Sequence, residues 1–302
     1  MDSPHGAAVT AEDFGLKGPR GWAFRSVSIE AEPGSLIAIE GPSGSGRTCL
    51  LLALTGRMRP TEGRADIGGL ALPSEMAGVR RISALGPVQG VSELEQALTV
   101  GEHLRERALL QRRFDASLRA LLRPRAERTA AARIRIDEAL QAAGLDLATL
   151  PKQERTAVRD LERLEALRLS VSLALIGRPR LIAVDDADLK LSDTDRAEAW
   201  RLLRSVAAAG TTVLAVCSQA PDGTKAVRTV AGAMAESAED DTGEAAPETP
   251  GGTAQAAPQT PGGMAQAAPD DTGEAAPDTP DDTTKDTTEE GTADALAETG
   301  RA

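Results

Sequence analysis

Residues Gly41-Pro42-Ser43-Gly44-Ser45-Gly46-Arg47-Thr48-Cys49 combine backbone N–H groups freed by glycine, a hydroxyl and a cation. Together these are the components that grip a phosphate chain. Gly41, Gly46 and Thr48 stand at the spacing of a phosphate-binding loop, with Gly44 between them. In such a loop consecutive N–H groups curl around phosphate oxygens at a helix N-terminus. The hydroxyl holds Mg²⁺ and a cation lies against the terminal phosphates. Arg47 stands where the motif carries lysine. Its guanidinium keeps the charge and bonds phosphate oxygens in pairs, but its bulk and planar fork differ from a compact ammonium.

A loop of this kind works only between a strand and a helix. Ile37-Ala38-Ile39 supplies the strand before Gly41, and Cys49-Leu50-Leu51-Leu52-Ala53-Leu54 reads as the buried helix after it. Gly56 to Pro73 is rich in Gly, Pro and charge, and Arg81 to Gly86 reads as a short strand. From Val100 to about Leu167, leucines and alanines recur at helical spacing among arginines and glutamates. Two strand-like runs follow, Leu181 to Asp186 and Thr211 to Ser218, separated by a helix containing Glu198 to Leu203. Strands alternating with helices predict an α/β fold with a mostly parallel sheet and an inserted helical region.

The charge is unevenly placed. Residues 232–302 hold 17 acidic and 2 basic residues, a net −15, whereas the other 231 residues carry 32 basic and 29 acidic, a net +3. The folded part therefore lacks the positive excess of a nucleic-acid binder, and a nucleic-acid partner is not expected. The acidic stretch repeats Ala-Ala-Pro at Ala245, Ala256, Ala267 and Ala275 and is poor in branched aliphatic and aromatic residues. Such a composition cannot offset its ordering entropy, which predicts a disordered Ala/Pro/Thr-rich tail. The two cysteines, Cys49 and Cys217, suggest neither a disulfide nor a metal framework. His5 and His103 read as solvated surface. With no signal-peptide order and no apolar stretch of about 18–20 residues, a cytoplasmic protein is expected.

From about Phe14 to Val230 the order of motifs resembles the nucleotide-binding domain of ABC transporters. Pro42-Ser43-Gly44-Ser45-Gly46 matches the family's Walker A wording, and Ala23 to Ile29 with Glu32 to Leu36 is similar to its leading strands. Gly177 to Asp186 looks like the Walker B strand and its approach. Leu98-Thr99-Val100-Gly101-Glu102-His103-Leu104 looks like the start of its helical subdomain. The resemblance implies a P-loop NTPase domain over residues 10–231 that binds ATP with Mg²⁺. Gly41 to Cys49 would hold the phosphates, and Thr48, Asp185 and the loop glutamine Gln89 would serve the metal. Asp186 would be the catalytic carboxylate, the alternative being a helix cap. Trp22 would stack on adenine, with Phe14 as a rival and a core tryptophan as the alternative.

The chain also departs from the family. Leu161-Glu162-Arg163-Leu164-Glu165 stands 24 residues before Asp185, where the family carries Leu-Ser-Gly-Gly-Gln. Asp186 replaces a glutamate, Ser218 replaces the switch histidine, and Cys49 replaces a hydroxyl residue. The expected function is an ATP-binding subunit with weak or lost hydrolysis. It would pair as a homodimer, or as a heterodimer with another cassette, on a membrane permease at the inner face. The alternative is a non-hydrolysing nucleotide-binding regulator. No Asn-Lys-x-Asp guanine motif supports a GTPase.

Overall fold

The computed structural model describes residues 5–114 and 124–229, all within the first of two compact units, 1–245 and 246–302. The predicted tail, 232–302, lies outside the described residues.

Two sheets form the domain. The first is antiparallel, in the order β2 (Gly21–Ala31), β1 (Val9–Gly18), β4 (Glu62–Ile67), β5 (Ala71–Leu72). The second is parallel, in the order β6 (Ser83–Leu85), β7 (Leu181–Val184), β8 (Thr212–Cys217), β3 (Leu36–Glu40), β9 (Lys225–Arg228). The inner parallel strands β3, β7 and β8 are buried on both faces, which is why they read as unbroken apolar runs. Ile37 and Ile39 of β3 face one core with Leu50, Leu51 and Leu54 of α1 (Arg47–Leu54) and with Phe14, Phe24 and Val27 of the antiparallel sheet. Ala38, Ile182, Val184, Val213 and Ala215 face a second core with α5 (Arg163–Leu175) and α6 (Asp193–Ala208). α1 thus lies between the two sheets, fixed along its length, and the phosphate loop at its start inherits that rigidity.

The inserted helical region is present. It contains α3 (Val100–Phe114) and α4 (Arg125–Ala142), followed by short 3₁₀ turns, and has its own core of Val100, Leu104, Leu140, Leu150 and Leu169. Between β5 and β6 runs α2 (Met76–Ile82).

One reading needs correction, and one segment holds strands that its composition did not announce. Gly56 to Pro73 holds strands β4 and β5: β4 pairs with β1 in register Val9↔Ile67 through Glu12↔Arg64. His103 is buried rather than solvated, with its Nε2 3.2 Å from the Glu95 carbonyl oxygen, because α3 turns that face against the chain leading into it.

Candidate nucleotide-binding site

β3 ends at Glu40, the loop spans Gly41 to Gly46, and α1 begins at Arg47. The glycines are not interchangeable. A Cβ on Gly46, at φ +79, would stand 1.9 Å from the Ala23 carbonyl oxygen, and one on Gly41 would stand 2.6 Å from Ser45 Oγ and the Thr229 carbonyl. One on Gly44, at φ +80, would meet nothing. Gly46 and Gly41 are therefore required by packing, while Gly44 lines the open side. Pro42, Ser43 and Gly44 are exposed, whereas Ser45 is fully buried and its hydroxyl pairs with Thr229 Oγ1 at 2.7 Å. Ser45 anchors the loop from beneath and does not point into it.

Thr48 Oγ1 donates to Asp185 Oδ2 at 2.8 Å, joining the first turn of α1 to the end of β7. Asp185 is buried, and burial pushes its carboxyl above the usual carboxylate range; the Thr48 hydrogen bond opposes this, Asp186 adds to it, and Arg47 counters it weakly. A buried oxygen ligand held beside a hydroxyl is the donor set that a hard divalent cation takes, and the cation would offset the desolvation. Asp186 has φ +47 and donates its N–H to Asp185 Oδ1. It caps no helix, since α6 is capped by Ser192. Cys49 is half-buried, and its thiol is raised by burial and by Asp185.

Gln89 lies exposed on the turn after β6 and lines a cavity of about 310 Å³ with Asp185, Asp186 and Arg163. The Asp185 N–H donates to the Pro87 carbonyl at 2.9 Å, so the glutamine's turn is tied directly to Asp185. Trp22 is half-buried one residue from Ala23, whose carbonyl packs on Gly46; Arg25 and Lys17 lie over its ring at 4.8 and 5.2 Å. Phe14, its sequence rival, is fully buried against Phe24 and is no stacking surface.

At the departures from the motif the structure shows ordinary folding devices. Glu162 and Glu165 form a reciprocal capping box at the start of α5, with the Glu162 N–H donating to Glu165 Oε2 at 2.8 Å. Arg163 donates to the Leu189 carbonyl at 3.1 Å, and Leu164 is buried. The Ser218 N–H donates to both carboxylate oxygens of Asp188, at 3.0 and 3.1 Å.

A glycine cradle at a strand-to-helix hinge, with a threonine and a buried aspartate beneath it, is an arrangement that sequence comparison recognises. The pattern described as ABC transporter matches residues 24–188, more than half of the chain. The chain belongs to the ABC transporter family. Among curated relatives, the Nod factor export ATP-binding protein I of Neorhizobium galegae is 27% identical over 189 residues, covering 63% of this chain and 48% of that protein. The daunorubicin resistance ATP-binding protein DrrA3 of Streptomyces coeruleorubidus is 31% identical over 193 residues, covering 64% of this chain and 54% of that protein. The cassette thus spans about half the length of the curated relatives it matches. In fold it is similar to a dimeric bacterial ABC transporter cassette, with a TM-score of 0.58 at 22% identity, covering 74% of this chain and 95% of that one. A bacterial Atm1-family ABC exporter with ATP bound gives 0.51 at 23% identity, covering 72% and 35%.

Three residues of the cassette's site went unnoticed in the sequence. Asp188 is a buried carboxylate that fixes the Ser218 backbone. Glu40 accepts from the Ala220 N–H and from Arg228, which hold its carboxyl below the usual range. Thr229 holds Ser45. For Glu40 the available signal was an acidic residue at a strand end, which without the fold reads as solvent-facing; Asp188 and Thr229 carried none.

Proposed function

We propose that this chain is the ATP-binding subunit of a transporter and that it binds ATP with Mg²⁺ while hydrolysing it weakly or not at all. The 2.8 Å bond from Thr48 to Asp185 beneath the open loop is the observation that carries the reading. It sets an oxygen-ligand pair where the N-terminus of α1 and the loop N–H groups favour anionic phosphate. On this reading Gly41 to Cys49 cradle the phosphates, Gln89 completes the metal's surroundings, and Trp22 stacks on the base. The cassette occupies 10–231, and 232–302 forms a separate tail. A membrane permease and a second cassette, identical or different, are the partners. Among the described residues no helix is long and apolar enough to cross a membrane.

Weak hydrolysis rests on Asp186, one methylene shorter than the family's glutamate, and on the capping box where the signature glycines would stand. Positioning supplies most of the chemistry in phosphoryl transfer, so displacement of the base and loss of the closing glycines both matter. The same observations favour a second reading, a non-hydrolysing nucleotide-binding regulator. Calorimetry with Mg²⁺ and ATP tests the shared core: binding should be metal-dependent, and Asp185→Asn should remove that dependence. Absence of binding at millimolar ATP by folded protein would refute both readings. Reconstitution with a multi-span permease separates them, since only the transporter reading expects ATP-dependent transport.

A further inference from the structure

Two cavities adjoin on the helical region, and neither shares a residue with the one beside Asp185. The first, of about 390 Å³, is apolar: the buried Leu104, Ala108 and Leu140, the half-buried Ile136 and the exposed Leu109 line it between α3 and α4. The second, of about 570 Å³, is polar, with Thr99, Lys152, Gln153 and Arg155 around it. Arg105, Leu147 and Glu154 line both, so one cavity runs into the other.

Glu154 is paired with Arg105 at 3.1 Å, whereas among the described residues the side chains of Lys152 and Arg155 have no acidic partner. The polar end is therefore cationic. On the apolar cavity Arg133 and Asp137 offset each other in charge. The turn that carries the two cations is held firmly. The Val100 N–H donates to the Thr156 carbonyl at 3.0 Å, and the Lys152 N–H donates to the hydroxyl of the same fully buried threonine at 3.0 Å. Gly101 admits the turn against α3, since a Cβ there would stand 3.1 Å from the Glu154 carbonyl oxygen. An apolar cavity of this size with a few polar groups at one end has the form of a small-molecule site. Each methylene placed in it is removed from water, and the two unpaired cations at its polar end select an anionic head.

We propose that these joined cavities bind an anionic amphiphile, with its acyl chain between α3 and α4 and its acid head on Lys152 and Arg155. A free long-chain carboxylate and an anionic phospholipid share that chemistry. The site stands apart from the phosphate loop, so the outcome with ATP does not bear on it. Calorimetry of the full chain with decanoate, below its micelle-forming concentration, should show saturable binding. Octanoate, two methylenes shorter, should bind about tenfold more weakly. Decyltrimethylammonium, of matching length and opposite charge, should bind weaker than decanoate by about tenfold or more. Lys152→Gln combined with Arg155→Gln, both at exposed positions, should weaken decanoate by about tenfold while leaving the thermal midpoint in place. Leu109→Gln should weaken it by about fivefold. Unsaturable binding of decanoate, equal affinity for the cationic surfactant, or unchanged affinity in the double variant overturns the proposal. Sedimentation with vesicles separates the two sources once decanoate binds. Retention on phosphatidylcholine vesicles only when phosphatidylglycerol is added, and its loss in the double variant, assigns the head to a phospholipid; no retention assigns it to a free acid.

Discussion

Gly46 and Gly44 both sit at positive φ, yet their surroundings make opposite demands. Gly46→Ala would drive a Cβ into the Ala23 carbonyl, whereas Gly44→Ala would meet open space. Both pay the left-handed backbone cost of about 1–2 kcal/mol. For Gly46 the clash comes on top, so its thermal midpoint should fall well beyond the roughly 2–8 °C expected for Gly44→Ala. Equal shifts in a melting experiment would show that the loop moves away from β2 freely. Glu40 carries a pH prediction. Its carboxyl is held low by Arg228 and then by the Ala220 N–H, so the stability it contributes is present above the ordinary glutamate value of 4.5 and is lost as pH falls through the lowered one. Glu40→Gln should lower the midpoint at pH 7, and the difference should vanish on acidification; a pH-independent difference would remove the charge from the explanation. Composition and spacing identified every residue of the loop, but not the role of Ser45, because a buried hydroxyl and an exposed one look alike in a sequence. The same ambiguity hid His103 and left Phe14 level with Trp22.

Among the elements, α5 shows how a departure from a motif can be a fold signal. Glu162 and Glu165 satisfy each other's backbone N–H groups at the helix start, so Glu165→Ala should cost about 1 kcal/mol, roughly 2–4 °C, with ATP affinity unchanged. A fall in ATP affinity at constant stability would instead give the segment a direct role in the site. Because Asp186 and the α5 start lie on separate elements, Arg47→Lys alone should not raise ATP turnover; brisk hydrolysis by that variant or by the wild type would show that these departures are tolerated. The inner parallel strands β3, β7 and β8 were legible from their apolar runs, since both faces are buried. β4 was not: Glu62-Gly63-Arg64-Ala65-Asp66-Ile67 exposes its first three residues and buries Ala65 and Ile67. Half-buried strands beside turns carry too little pattern to stand out. β9 escaped for the same reason, with Val227 its one buried residue.

Across the whole domain, the two sheets are joined at the end opposite the phosphate loop. Thr212 Oγ1, fully buried, donates to the Ala7 carbonyl at 2.6 Å and accepts the Gly34 N–H at 3.0 Å. Thr212→Val keeps the shape but leaves both partners without a bond, at a cost of about 2–3 kcal/mol, so the midpoint should fall by roughly 4–12 °C. ATP affinity should hold, because Thr212 lies five residues along β8 from Cys217, about 16 Å; a parallel loss of affinity would mean that the two ends of the sheet are coupled. What the sequence determined by itself was everything fixed by local order: the loop between strand and helix, the α/β alternation, the family, and the charge asymmetry. These are properties of neighbouring residues, which periodicity and spacing record directly. Only the tertiary structure decided that Arg47 rests on Cys217, that Ser218 turns to Asp188, that Thr229 holds Ser45 and that Ala23 requires Gly46. Each of those contacts except Gly46–Ala23 joins residues at least 30 positions apart, and all depend on which strands lie side by side. Strand order is set by how the cores pack, and no short stretch of the chain encodes it.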